Sequence, residues 1–215
     1  MAQFGSDSFG GTENTTLSTY NAAWTRHTSY TGNSEIASGR VRPSGTATSA
    51  YWHSGSPANA DYSVSADLLM KEANGGVASV GVIGRIDTAA NTFYMARYSG
   101  NTDDAWQLYK FVAGTATLLG SSAAALTDET SHNCLLRMVG TTIGLYVDGS
   151  STATVSVTDS AITAAGKAGI RMLANGTPDD TNGIHIDNFS ADDVVGGAGT
   201  SFPFRRSSFQ HMLVR

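Results

Sequence analysis

The segment spanning residues 61–70 alternates with a period of two. Tyr62, Val64, Ala66, Leu68 and Met70 fall on one side, and Ser63, Ser65 and Asp67 on the other. An extended strand sends successive side chains to opposite faces, so this spacing predicts a strand with one face in a core. The same signature recurs over 77–86, 92–99, 105–112, 132–139, 141–147, 153–158, 169–173 and 184–190. Shorter strands are expected near Trp24, over 36–41 and over 50–53, and residues 159–163 read as a single helical turn. Asn74-Gly75-Gly76 and Asp148-Gly149 supply turns in which positive φ is available. Gly81 and Gly84, inside a strand, mark a bend or the close approach of another backbone. Turn signals spaced about 8–12 residues apart, with almost no helical period, predict an all-β, two-sheet antiparallel jelly-roll sandwich over residues 1–195.

Composition limits what such a sandwich does. A length of 215 residues suits one all-β domain with one core. Only 14% of the residues are charged and 24 are glycine, a bias that would suit a disordered chain, but 40% hydrophobic content in regular alternation argues for a packed sheet protein. A formal net charge of −5 speaks against a nucleic-acid-binding surface across the domain. The single cysteine, Cys134, has no partner for an internal disulfide and sits in an apolar strand, where a buried thiol is expected. The first residues lack a basic region followed by an apolar core, so no secretory signal is expected. No run reaches the roughly 18 apolar residues of a membrane helix, so no membrane insertion is expected either.

The last twenty residues differ in kind. Residues 196–200 read as a glycine-rich hinge, and the segment beyond is basic and aromatic, with Arg205, Arg206 and Arg215 and no acid. The tail is thus +3, leaving ten basic against 18 acidic residues in the body. Phe202, Phe204 and Phe209 would be costly to leave in water, so this C-terminal arm is expected to dock. Either it folds back as a terminal strand on its own sandwich, or it inserts into a neighbouring subunit or shell. In the second case Phe202, Phe204, Arg205, Arg206, Phe209 and Arg215 are the partner-binding residues.

Signatures of catalysis are missing. Glycoside hydrolases need two carboxylates across a sugar-binding groove. None of the four glutamates, Glu13, Glu35, Glu72 and Glu129, is followed two residues later by Asp, as the Glu-x-Asp-x-x-Glu strand of jelly-roll glucanases requires. The five histidines lack ligand spacing, and neither a Gly-x-Ser-x-Gly elbow nor a phosphate-binding loop occurs. No enzyme activity and no cofactor are expected. Calcium is the one metal candidate, because Asp7 and Asp187 would become neighbours if the terminal strands pair. The alternative is that both carboxylates cap turns. Trp52, Tyr94, Tyr98, Trp106 and Tyr109 include residues on both faces of their strands, so some can offer a ring to a sugar, with Trp52, Tyr94, Tyr98 and Trp106 the candidates; the competing reading is core packing.

The order of features resembles the concanavalin A-like lectin/glucanase superfamily in its laminin-G-like form. The residues that carry the likeness are Asp7-Ser8-Phe9, Trp24, Gly81-Val-Ile-Gly-Arg85, Trp106-Gln-Leu-Tyr-Lys110, Ile143-Gly-Leu-Tyr-Val-Asp-Gly149 and Ile186-Asp-Asn-Phe189. The resemblance covers about residues 5–193 and implies a jelly roll rather than any one function. A domain of this pattern, without a leader and with a basic-aromatic arm, is also similar to virion proteins of tailed bacteriophages. That similarity implies a structural protein of the virion, made in a host cytoplasm: a capsid decoration or head-fibre component, or a tail or collar component. Its partners would be the capsid shell or sister subunits in a homo-oligomer. The alternative is a carbohydrate-binding module for cell-surface or environmental glycans.

Overall fold

A computed structural model describes residues 2–70, 79–100, 103–126, 130–174 and 183–194. Among them the chain forms strands β1 (Gln3–Asp7), β2 (Trp24–Arg26), β3 (Ser34–Ala37), β4 (Arg40–Pro43), β5 (Ser49–His53), β6 (Tyr62–Met70), β7 (Ser79–Asp87) and β8 (Thr92–Ser99). Then come β9 (Ala105–Val112), β10 (Thr115–Ala123), β11 (Thr130–Val139), β12 (Thr142–Val147), β13 (Val155–Thr158), β14 (Lys167–Leu173) and β15 (Ile184–Asp193), with one short helix, α1 (Leu17–Tyr20). They build two antiparallel sheets. The order β13-β12-β11-β6-β15-β4-β3, with β1 also on β15, makes an eight-stranded sheet, and β10-β9-β8-β7-β14-β5-β2 makes a seven-stranded one.

The alternation of β6 is realised as expected. Tyr62, Val64, Ala66 and Leu68 are at most 1% exposed, while Ser63, Ser65 and Asp67 stay half-buried on the other face. Opposite them the seven-stranded sheet contributes Val80, Val82, Tyr94, Ala96, Tyr98, Trp106 and Leu108 to one shared core. Cys134 is fully buried there, and burial pushes its thiol well above the usual range. Gly81 answers to close backbone approach, since a Cβ on it would lie 2.1 Å from the carbonyl oxygen of Ala96.

Four local expectations change. The strand expected over 36–41 is two, β3 and β4, because Ser38 and Gly39 both take positive φ and close a two-residue hairpin. Ala113 and Gly114 do the same between β9 and β10, a strand the pattern did not announce. Residues 159–163 form no helix; Asp159 instead accepts a hydrogen bond from the amide of Ala161 in a local turn. The β12–β13 connection is longer than Asp148-Gly149, since β13 begins only at Val155. The turn expected at 74–76 and the hinge and arm over 196–215 lie outside the described residues.

Candidate functional site

The seven-stranded sheet is apolar on both faces. Its outward face carries a second cluster of buried side chains, Ala50, Ile83, Ile86, Phe93, Met95 and Phe111, with Tyr30, Trp52 and Tyr109 half-buried against it. Register places these residues in rows across the strands. One row runs Leu118, Tyr109, Met95, Ile83, Gly169, Trp52, Thr25 from β10 to β2. With strands about 4.8 Å apart, the rings of Tyr109 and Trp52 are anchored four strands, or about 19 Å, from each other. The ends of this row are its accessible part, with Leu118 47% exposed beside Tyr109.

The adjacent row, Gln107, Arg97, Gly81, Arg171 and Ala50, carries three polar side chains, Gln107, Arg97 and Arg171. The Arg97 guanidinium lies 4.3 Å from the ring centre of Tyr109, close enough for a cation–π contact. Its Nε donates to Gln107 Oε1 (2.9 Å) and its Nη1 to Ser79 Oγ (3.3 Å). Gln107 in turn donates to the exposed Asp103 at the rim (3.2 Å). Arg171 sits between the rings of Phe111 (4.9 Å) and Tyr30 (5.2 Å), with Nη1 directed at Met95 Sδ (3.7 Å). The strands of this sheet carry Arg26, Arg85, Arg97, Lys110, Lys167 and Arg171 against one acid, Asp87, in a chain whose net charge is −5. Basic charge is therefore concentrated on one sheet of an acidic protein.

Of the rings named in the sequence for a sugar platform, Trp52 and Tyr109 lie on this outward face. Tyr94, Tyr98 and Trp106 do not: they are 0%, 3% and 3% exposed and point between the sheets. The Tyr94 hydroxyl donates to Asp159 Oδ1 (2.6 Å), and burial together with that carboxylate pushes its pKa up to about 12. These three rings have no face free for a ligand. Arg97, next to Tyr98, occupies the outward face instead, as does Arg171 in β14. The sequence signal for them was present: a cation in each of two apolar strands, and aromatic residues at both parities of 93–98 and 106–111.

Terminal strands β1 and β15 do pair, which brings Asp7 beside Phe189 and close to Asp187. A shallow depression of about 460 Å³ opens there, lined by Ser6, Asp7, Ser8, Asn21, Asn188 and Phe189. Asp7 does not fit a calcium ligand. Its Oδ1 accepts from the Phe9 amide (2.8 Å) and the Tyr20 hydroxyl (2.9 Å), and its Oδ2 from Asn21 Nδ2 (2.9 Å) and the Trp24 indole (2.8 Å). Four donors fill the four acceptor positions of a carboxylate. Asp187 accepts from the amide of Asn188, and burial raises its pKa, with Asp67 and Asp7 adding to the rise. Among the described residues no group of three or more His, Cys, Asp or Glu stands ready for a metal.

The other acids described have structural partners. Glu35 pairs with Arg42 (3.2 Å) and Glu13 accepts from the amide of Ser38 (2.9 Å). Burial acts to raise the pKa of Asp159, but hydrogen bonds from Lys110, Tyr94 and the Ala161 amide outweigh it and hold the carboxyl below its usual value. Phe202, Phe204, Arg205, Arg206, Phe209 and Arg215 lie outside the described residues, as do Glu72 and Glu129.

No protein-family model and no curated protein matches the sequence. Solved structures do. The carbohydrate-binding module CBM66 from Bacillus subtilis is 19% identical, with a TM-score of 0.62 over 80% of this chain and 96% of that one. The CBM2 module of the evolved Dit of Lactobacillus casei BL23 phage J-1 is 12% identical, with a TM-score of 0.58 over 91% and 97%. A prokaryotic β-1,3-1,4-glucanase (lichenase) derived from a mouse hindgut metagenome is 11% identical, with a TM-score of 0.59 over 91% and 100%. At such identities the likeness is one of fold.

Proposed function

We propose that this chain, a jelly roll of the concanavalin A-like fold, is a non-catalytic carbohydrate-binding module that holds a glycan on the outward face of its seven-stranded sheet. The observation that carries the reading is the pairing, on that face, of half-buried rings with side-chain donors: Trp52 and Tyr109 in one row, Gln107 and Arg97 in the next. Sugars present an apolar C–H face and a hydroxyl edge, so a ring beside fixed donors serves both. Carbohydrate-binding modules among the structural neighbours support the same reading. The acids described are engaged with structural partners or lie at the rim, which supports binding without hydrolysis.

Replacing Tyr109 or Trp52 by Ala should weaken retention on a polysaccharide gel about tenfold, the loss of one aromatic contact worth ~1–1.5 kcal/mol. Affinity electrophoresis against a panel of insoluble and soluble polysaccharides measures this. The reading fails if the wild-type protein is retained by none of them, or if both variants run as the wild type does.

A second reading concerns where the module works. One neighbour is part of a phage Dit, and the sequence itself resembles virion proteins, which supports a module carried on a phage particle. Attachment would then run through Phe202, Phe204, Arg205, Arg206, Phe209 and Arg215 to a shell or to sister subunits. Deleting residues 198–215 should leave the sandwich folded, by circular dichroism, and remove it from purified particles; undiminished incorporation would discard the attachment role.

A further inference from the structure

Arg171 is 8% exposed, yet no acid neutralises it among the described residues. Its one hydrogen-bond partner is the thioether of Met95, and its Nε, fully shielded by protein, meets no acceptor. A guanidinium removed from water needs a carboxylate or several oxygen acceptors to offset its desolvation. Arg97, one strand beyond the side-chain-free Gly81, adds a second positive charge in the same row, held by neutral acceptors. Burial, and behind it the charge of Arg171, draw the pKa of Arg97 down, while Tyr109 and Asp103 offset part of that effect. Asp103 forms no direct hydrogen bond to Arg97 and is linked to it through Gln107.

We infer that this face takes an acidic saccharide, a uronic-acid-containing glycan whose carboxylate is received by Arg171 and Arg97 while a sugar ring lies on Tyr109 or Trp52. The inference rests on the glycan-binding reading and adds the substrate class. Guanidinium and carboxylate match in planar, two-point geometry, which favours a carboxylate over a neutral hydroxyl edge. The flanking rings favour a sugar over an acidic polypeptide, since they supply the stacking surface a saccharide uses.

The test compares polygalacturonate with its methyl ester, with a neutral glucan and with polyglutamate, for the wild type, Arg171→Met, Arg171→Lys and Arg97→Met. The wild type should bind polygalacturonate at least about tenfold more tightly than the methyl ester, the worth of one charge-assisted contact, and rising NaCl should weaken the binding. Arg171→Met should lose that preference while its melting temperature holds or rises, because an unpaired buried charge is replaced by an apolar chain of similar length. Arg171→Lys should restore it only in part. A melting temperature that falls steeply in Arg171→Met, with the preference intact in Arg97→Met, would make the arginines structural and overturn the inference. Equal binding of ester and acid, still lost in Tyr109→Ala, would overturn the acidic class and leave glycan binding standing. Polyglutamate bound as tightly as polygalacturonate would reassign the face to an acidic polypeptide, and no binding of any polysaccharide would remove both readings.

Discussion

Arg85→Leu should unfold the protein at a denaturant concentration far below that of the wild type, with a loss of about 4 kcal/mol. Arg85 is 1% exposed and lies where the two sheets and three connections meet. Its Nε donates to the carbonyl of Ala60 (3.0 Å), Nη1 to that of Ile162 (2.8 Å) and Nη2 to that of Gly140 (2.9 Å), with Asp61 3.7 Å away. One planar fork thus satisfies carbonyls from three loops that have no strand partner at those positions. The substitution strands all three and leaves Asp61 without its cation. Against a total of about 5–15 kcal/mol for a domain, that is a large fraction, and the melting temperature should drop by about 10 °C. Arg85→Lys should recover little, because an ammonium is a point donor and cannot span the three acceptors. Urea unfolding followed by tryptophan fluorescence, with an unchanged slope, would report this; an Arg85→Leu midpoint equal to that of the wild type would refute it.

Asp7→Ala carries the second largest expected loss, about 3 kcal/mol. The carboxylate joins β1 to the 20–24 segment through three of its four donors, the Tyr20 hydroxyl, the Asn21 side-chain amide and the indole of Trp24. Trp24 is 1% exposed and packs against Phe9 and Phe189, so its N–H has no water to turn to. Asp7→Asn should also destabilise, since an amide sets its own donor against those of Trp24 and Asn21. The effect on Tyr20 separates this role from mere packing. Burial, the hydrogen bond to Asp7 and its charge push the Tyr20 pKa up to about 12, and with Asp7→Asn it should move back toward 10. The same site would gain stability from calcium if it bound the ion; added calcium should leave the wild-type melting temperature where it is.

These two hubs show why the fold was more legible than the site. The stripe of β6 and the strands β8 and β9 could be read directly, because alternation declares two faces. In the seven-stranded sheet both faces are apolar, and period two cannot say which parity turns inward. Tyr94, Tyr98 and Trp106 were therefore as good candidates for a ligand face as Arg97 and Tyr109 until the packing of Val82, Leu108 and Met138 between the sheets decided the matter. Strand β10 was hidden for a different reason. It is an edge strand, largely exposed, and of its two turn residues only Gly114 carries a turn signal, Ala113 at φ 49° carrying none. Strand β1 holds Gly5 and only one large apolar residue, so its pairing with β15 supplies what its composition does not. The partners of Arg171 were invisible because they come from β8, β9 and the 27–33 connection, far apart in the chain.

Titrating isotope-labelled protein with polygalacturonate oligosaccharides, and following the backbone amides, asks whether the outward face of the seven-stranded sheet is the ligand face. Shifts should gather on Arg97, Gln107, Tyr109 and Arg171, with Leu118 or Trp52 responding at the end of the row where the sugar ring stacks. Shifts confined to Ser6, Ser8 and Asn188 in the depression beside β1, or amides that do not respond to any saccharide, would contradict that assignment.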